Sequence, residues 1–355
     1  LTGTHAYTIV IADGDAASST ADDLNTINGK TTGVIDASAI TDLAEDTIDN
    51  IKTLLEDGND TNEFSTDSFS ALETVTVSDT TLDGSKLASA IDEANEATDG
   101  TTVVFTISAA NEIQGSEDDF TALITDDGNG QINIDNQDIT VTSGTISVDT
   151  ANDLDDATQG TVTADITTTE TVTDLKTLTG THAYTIVIAD GDATSSSASD
   201  LNTINGKTSE AVSLENVTAL TSSSLSDLET LASDIGDGEF SNATFLTTIA
   251  VSDTTIEADA LAARIDSFDE INGDNKTTGM TLVSEATINV ASTEITALLD
   301  DESDGRVTIV DQDINVDSGD ISVDTANDLD LTTSGTITAD ITTTETVTDL
   351  KTLTG

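Results

Sequence analysis

An internal duplication constrains this chain more than any other feature. Residues 1–31 recur at 178–208 with three changes, and residues 138–177 recur at 313–352 with seven. The 355-residue chain therefore reads as a first long repeat over 1–177, a second over 178–352, and the start of a third at 353–355. Leu-Thr-Gly both opens and closes it, as expected of a piece cut from a longer chain at repeat boundaries. The middles of the two repeats diverge but keep landmarks. Glu63-Phe64 with Phe69 answers Glu239-Phe240 with Phe245, and Val77-Ser78-Asp79 answers Val251-Ser252-Asp253.

A shorter period runs inside each long one. Alternating apolar segments, which favour strands, lead into stretches with helical spacing. Residues 8–11 precede 22–27, 34–40 precede 42–55, 75–77 precede 86–94, and 103–107 precede 118–124. Residues 146–148 and 162–166 likewise precede 151–154 and 173–178. About six units per long repeat result, a scale at which each unit buries its face only against neighbours. Ile9 with Ile11 and Ile132 with Ile134 mark strands. Asp42, followed by Glu45, has the form of a helix cap, after which Leu43, Thr47, Ile51, Leu54 and Leu55 trace one helical face.

Strands stack about 4.8 Å apart and helices need about 8–10 Å, so two strands per helix match the spacings. Two strand-like runs, at 139–141 and 146–148, stand before one helical stretch. The fold expected is mainly β with short helices, a β-solenoid-like stack; the alternative is a string of small β-sandwich domains. The absence of Pro suits continuous ladders, which Pro interrupts.

Composition bears on partners. Sixty-nine Asp and Glu against nine Lys and Arg leave a net charge of -60. Nucleic acid and anionic membranes call for a basic surface, so both are excluded. Cations are the natural partners, and calcium suits carboxylate oxygens in a chain with two His and no Cys. No apolar run is long enough to span a membrane. The candidate calcium ligands lie in acidic turns: Asp13 and Asp15, their copies Asp190 and Asp192, and Asp126, Asp127, Asp300 and Asp301. None fits an EF-hand, and ordinary Asp-Gly turns explain the same residues.

Other residues are weighed the same way. His5 and His182, each beside a Tyr, read as a structural His copied by duplication rather than a catalytic base, which needs a nucleophile and an orienting group. Phe64 with Phe69, and Phe240 with Phe245, read as core anchors rather than a sugar platform. Asn59, Asn216, Asn242 and Asn275 open glycosylation sequons of the kind chance supplies here. Lys30/Lys207 and Lys176/Lys351 are the duplicated cations, whereas Arg264 and Arg306 are not duplicated. That asymmetry argues against a carbohydrate-active enzyme built on those arginines.

At Asp23-Leu-Asn-Thr-Ile-Asn-Gly-Lys-Thr-Thr, at its copy starting from Asp200, and at Thr177-Leu178-Thr179-Gly180-Thr181, the chain resembles the giant tandem-repeat cell-surface proteins of cyanobacteria, of the swimming-motility type. The resemblance implies an exported, very long, non-catalytic surface protein. The functional expectation is an extracellular structural repeat protein forming a filament, sheath or surface layer. It would be stabilised by cations and would associate with itself or with neighbouring repeats. The alternative is the stalk of a large adhesin.

Overall fold

The computed structural model describes residues 5–12, 19–98, 102–108, 112–189, 196–243, 246–273 and 278–355. Among them lie 12 helices and 20 strands. Helix makes up 36% and strand 25%, so the chain is mixed α/β rather than mainly β, and the β-solenoid expectation is overturned. A string of β-sandwiches is not found either, because the described ladders are parallel while sandwiches are built from antiparallel sheets. The physical reason is connectivity. Parallel neighbours need a crossover of a dozen or more residues, and a chain rich in capping residues fills it with helix.

The helix Gly84–Ala97 shows how local sequence makes one unit. The Asp83 carboxylate accepts from the Ser85 and Lys86 amides at its N-terminus, and Leu87, Ala90, Ile91 and Ala94 recur at helical spacing on the buried face. Ahead of it, Thr74–Val77 buries Val75 and Val77 in alternation, and Thr81–Asp83 buries Leu82. These two strands enter different sheets. Thr74–Val77 lies between Asp42–Asp46 and Val104–Ile107, whereas Thr81–Asp83 pairs with Glu112–Ser116.

Most helices start on a Ser, Thr or Asp that accepts from an amide in the first turn. Ser116, Thr171, Ser197 and Thr346 form full capping boxes with Asp119, Asp174, Asp200 and Asp349. Each such cap contributes about 1 kcal/mol. None of the described helices carries a basic residue in its last turn.

The Asp42 cap is a second correction. Asp42–Asp46 is a strand, with Asp42 opposite Thr74 and Leu43 opposite Val75, and the helix Ile48–Gly58 begins after Thr47, its true N-cap. Parallel pairing claims those residues first. The Thr74 and Thr41 hydroxyls then donate to the Asp42 carboxylate and hold it below its ordinary range. Ile51, Leu54 and Leu55 are fully buried on the helix face as the spacing implies, each stabilising by about 1.5–3 kcal/mol. Ile146 makes one bridge, to Ile166, and Ser147 already caps the helix Val148–Ala157. Ile132 and Ile134 are buried but lie outside the strands.

Two compact units emerge: residues 1–167 with His182–Tyr184, and residues 168–181 with 185–355. In the first, a five-stranded sheet runs in the order Thr81–Asp83, Glu112–Ser116, Asp138–Ser143, Val162–Asp165, Ala183–Thr185; Ala183 and Tyr184 of the last strand belong to this unit. In the second, the corresponding sheet has four: Thr255–Glu257, Thr287–Ala291, Asp313–Ser318, Ile337–Thr338.

A buried Thr clamps successive segments. The Thr158 hydroxyl donates to the Gln137 carbonyl at 2.6 Å and accepts from the Gly160 amide at 2.9 Å. Thr333 does the same with the Gln312 carbonyl (2.6 Å) and the Gly335 amide (3.0 Å). Glycine follows because a Cβ on Gly160 or Gly335 would collide with the Gln137 or Gln312 backbone.

Candidate functional site

The structure gathers its most specific contacts where the second copy of the His-Ala-Tyr segment meets the first unit. Val162 begins the strand Val162–Asp165, and its amide donates to His182 Nδ1 at 3.1 Å. That nitrogen is therefore unprotonated. Nε2 carries the proton and donates it to Asp155 Oδ1 at 2.6 Å. Asp155 is placed by the helix Val148–Ala157. The same helix presents the Ala151 carbonyl, to which the Tyr184 hydroxyl donates at 3.3 Å. The His182 and Tyr184 rings stack edge-on, with centroids 5.4 Å apart. Burial, together with the nearby Asp155 charge, pushes the Tyr184 phenol well above its ordinary value, so it stays a donor. The imidazole thus bridges the strand Val162–Asp165 and the helix Val148–Ala157.

In the second unit, the helix Val172–Leu175 packs against Ala198–Asn205. Lys176 Nζ bonds Asp200 Oδ1 at 2.6 Å. The Asn-Thr-Ile-Asn motif braces neighbouring helices in both units. Asn25 donates to the Asn50 carbonyl at 2.9 Å, and Asn202 to the Asp227 carbonyl at 3.0 Å. Asn28 holds Asp57 (3.1 Å) and Glu63 (2.6 Å) together, as Asn205 holds Asp234 and Glu239. Burial and the adjacent Glu raise Asp57 and Asp234 above the usual carboxylate range.

Arg306 binds three carboxylates: Asp266 at 2.7 Å, Asp269 at 2.8 Å and Asp301 at 2.8 Å. Burial nonetheless holds Asp301 above its ordinary value. In the first repeat Gln131 stands at the Arg306 position and Asn95 at the Asp269 position, bonded at 2.5 Å. A charged pair has become a neutral one. Asp126, the counterpart of Asp301, is left facing Asp92, and burial with that charge pushes it up to about 6.

Of the candidate calcium ligands, Asp13, Asp15, Asp190 and Asp192 lie outside the described residues. Asp126 and Asp127 are half-buried neighbours near the end of the helix Glu117–Gly128, and Asp127 accepts from the Ile134 amide at 3.2 Å. Asp300 is exposed and Asp301 is the buried partner of Arg306. Among the described residues no group of three or more His, Cys, Asp or Glu is arranged to hold a metal ion, and no helix is long and apolar enough to cross a membrane.

Phe64 and Phe69 are fully buried with rings 5.4 Å apart, and Phe240 is buried as well, which places them in the core; Phe245 lies outside the described residues. The Asn59, Asn216 and Asn242 amides donate to Glu93, the Ile188 carbonyl and Ser213, while Asn275 is not described. Arg264 lies 3.8 Å from Glu229. Lys30 and Lys351 are exposed, and Lys207 is half-buried.

Sequence reasoning singled out the His-Tyr pair but missed its seat. Asp155 and Ala151 do lie in the duplicated flank, with Asp330 and Ala326 as copies, and that pairing was the available signal. No protein-family model matches the chain, and comparison with curated proteins finds no match.

Proposed function

We propose that this chain is an extracellular structural repeat protein. It would build a filament, sheath or surface layer, with cations, calcium among them, offsetting its carboxylates. One observation carries the reading: duplicated polar side chains make contacts from one segment of the fold to the next. His182 orients a strand, Lys176 ties two helices, and Asn28 and Asn205 bridge carboxylates on neighbouring segments. These are braces, and repeating a brace extends a structure without new chemistry. The cation part rests on the net charge of -60, which repels itself in a compact state. The extracellular part rests on the resemblance to bacterial surface repeats.

Electron microscopy of the native material, with and without a calcium chelator, tests this. Ordered fibres or layers that loosen on chelation are expected. Isolated particles indifferent to chelation would overturn it.

A further inference from the structure

Each unit places one Asp and one Glu face to face where three segments join. In the first, Asp57 lies in the last turn of the helix Ile48–Gly58, and Glu63 follows on the return of the chain. Asn28 Nδ2, from the end of the helix Ala21–Asn28, donates to Asp57 Oδ2 at 3.1 Å and to Glu63 Oε2 at 2.6 Å. The Asp57 and Glu63 carboxyls are themselves within hydrogen-bond reach of each other. In the second unit Asn205 Nδ2 donates to Asp234 Oδ2 at 3.4 Å and to Glu239 Oε2. The Glu backbones are pinned. The Ile35 amide donates to the Glu63 carbonyl at 2.9 Å, and the Val212 amide to the Glu239 carbonyl at 3.0 Å. The residues that follow, Phe64 and Phe240, are buried. An Asn amide is neutral, so it tethers two negative charges without cancelling either. Among the described residues no Lys or Arg pairs with these four carboxyls. Beside Asp57, Lys52 is taken by Glu56; on the helix Gly84–Ala97, Lys86 is taken by Asp49, and Glu93 by the Asn59 amide. Beside Asp234, Arg264 of the helix Ala258–Asn272 faces Glu229, and Glu270 lines the same groove. The charges that reach Asp57 are those of Glu63 and Glu56, and those that reach Asp234 are Glu239 and Asp237. All are acidic.

We propose that each Asp–Glu couple is an acid-tightened latch: as pH falls, the Asp carboxyl takes a proton from solvent and donates it to its Glu partner, and the junction of three segments closes harder. Two like charges held together oppose each other's ionisation, and the couple titrates as one unit. Burial first, and the Glu63 or Glu239 charge next, hold Asp57 and Asp234 above the usual carboxylate range. The folded chain therefore binds the proton more tightly than the unfolded one. Stability rises as pH falls from neutral toward the ordinary aspartate range near about 4, and levels off below it. Carboxyls that hydroxyl donors hold low, such as Asp42 and Asp174, have the opposite sign, but their stabilisation is lost only below that range. The window between neutral pH and about 4 thus belongs to the raised groups. The latch goes beyond the structural reading and stands whether or not the chain assembles.

Hydrogen exchange at the Ile35 and Val212 amides of the full-length chain, at pH 7 and pH 5 and corrected for the intrinsic effect of pH on exchange, tests this. Those amides bond the two Glu carbonyls, so each reports one latch. Protection at both should rise at least about twofold on acidification. Asp57→Asn removes one charge, keeps the shape and offers Glu63 a permanent donor. It should raise Ile35 protection at pH 7 and reduce its pH dependence, leaving Val212 as in the unsubstituted chain; Asp234→Asn should do the reverse. Ile35 protection that responds to pH as strongly in Asp57→Asn overturns the latch, because the fading of overall net charge then accounts for it. So does an Asp57→Asn chain less protected at Ile35 than the unsubstituted one. Metal-dependent protection at pH 7 that Asp57→Asn abolishes would also overturn it, since a cation would then bridge the couple. A carboxyl-carbon NMR titration of the unsubstituted chain needs no variant. Asp57 and Asp234 should titrate above the ordinary aspartate range, and ordinary midpoints at both sink the latch.

Discussion

At the residue scale, the duplication provides its own comparison of charge chemistry. Arg306 with Asp269, and Gln131 with Asn95, are two solutions to one packing problem. The charged solution depends on the cation, because Asp301 is buried and Asp266 and Asp269 surround the same guanidinium. Arg306→Gln should therefore destabilise the second unit by about 2–4 kcal/mol, somewhat below a fully buried pair. Adding Asp269→Asn recreates the neutral pair and should recover a large part of that loss. Urea midpoints of the two single variants and the double variant give the coupling.

Asp126 makes the opposite case. Its folded value of about 6 lies above that of an unfolded carboxylate. Ionisation thus costs folding free energy at neutral pH, and the cost fades as pH falls through about 6 toward 4. Asp126→Asn should stabilise the protein by about 1–2 kcal/mol at pH 7, a figure discounted for partial solvation. The gain should shrink at pH 5. A gain that is the same at both pH values would show that charge is not its source.

At the element scale, the Thr clamp and its glycine set how closely one segment lies on the one before. Gly160→Ala places a methyl group against the Gln137 carbonyl, which Thr158 already engages. Backbone cannot yield as a side-chain tip can, so a loss of about 2–3 kcal/mol is expected. Gly335→Ala should behave alike against Gln312. Gly128, whose added Cβ meets nothing within 4 Å, is the control; Gly128→Ala should change the thermal midpoint little. The helices follow from capping and spacing, which is why Gly84–Ala97 sits where its apolar residues recur. Asp42–Asp46 does not follow from local pattern. Asp42 and Glu45 mimic a capping box, and only pairing with Thr74 and Val75 assigns the segment to a strand.

At the scale of the whole molecule, charge and surface decide the response to salt. A net charge of -60 over 16244 Å² amounts to about one charge per 270 Å², a mean spacing of about 16 Å. The screening length is about 30 Å at 0.01 M salt and about 8 Å at physiological strength. Neighbouring charges therefore repel strongly in dilute buffer and weakly in physiological salt. The thermal midpoint should rise by several degrees across that range. A midpoint independent of salt would mean that the repulsion is already offset by bound ions.

By itself the sequence carried the duplication, the acidic character and helix faces such as Leu87, Ala90, Ile91 and Ala94, because these depend on spacing and composition along the chain. The tertiary structure decided what depends on residues far apart in sequence. It joined the strands in parallel and so turned an expected β stack into mixed α/β. It seated His182 on Asp155 and Val162. It buried Tyr184 while leaving the identical Tyr7 exposed. Local pattern is the same at both copies; what differs is which neighbour covers them.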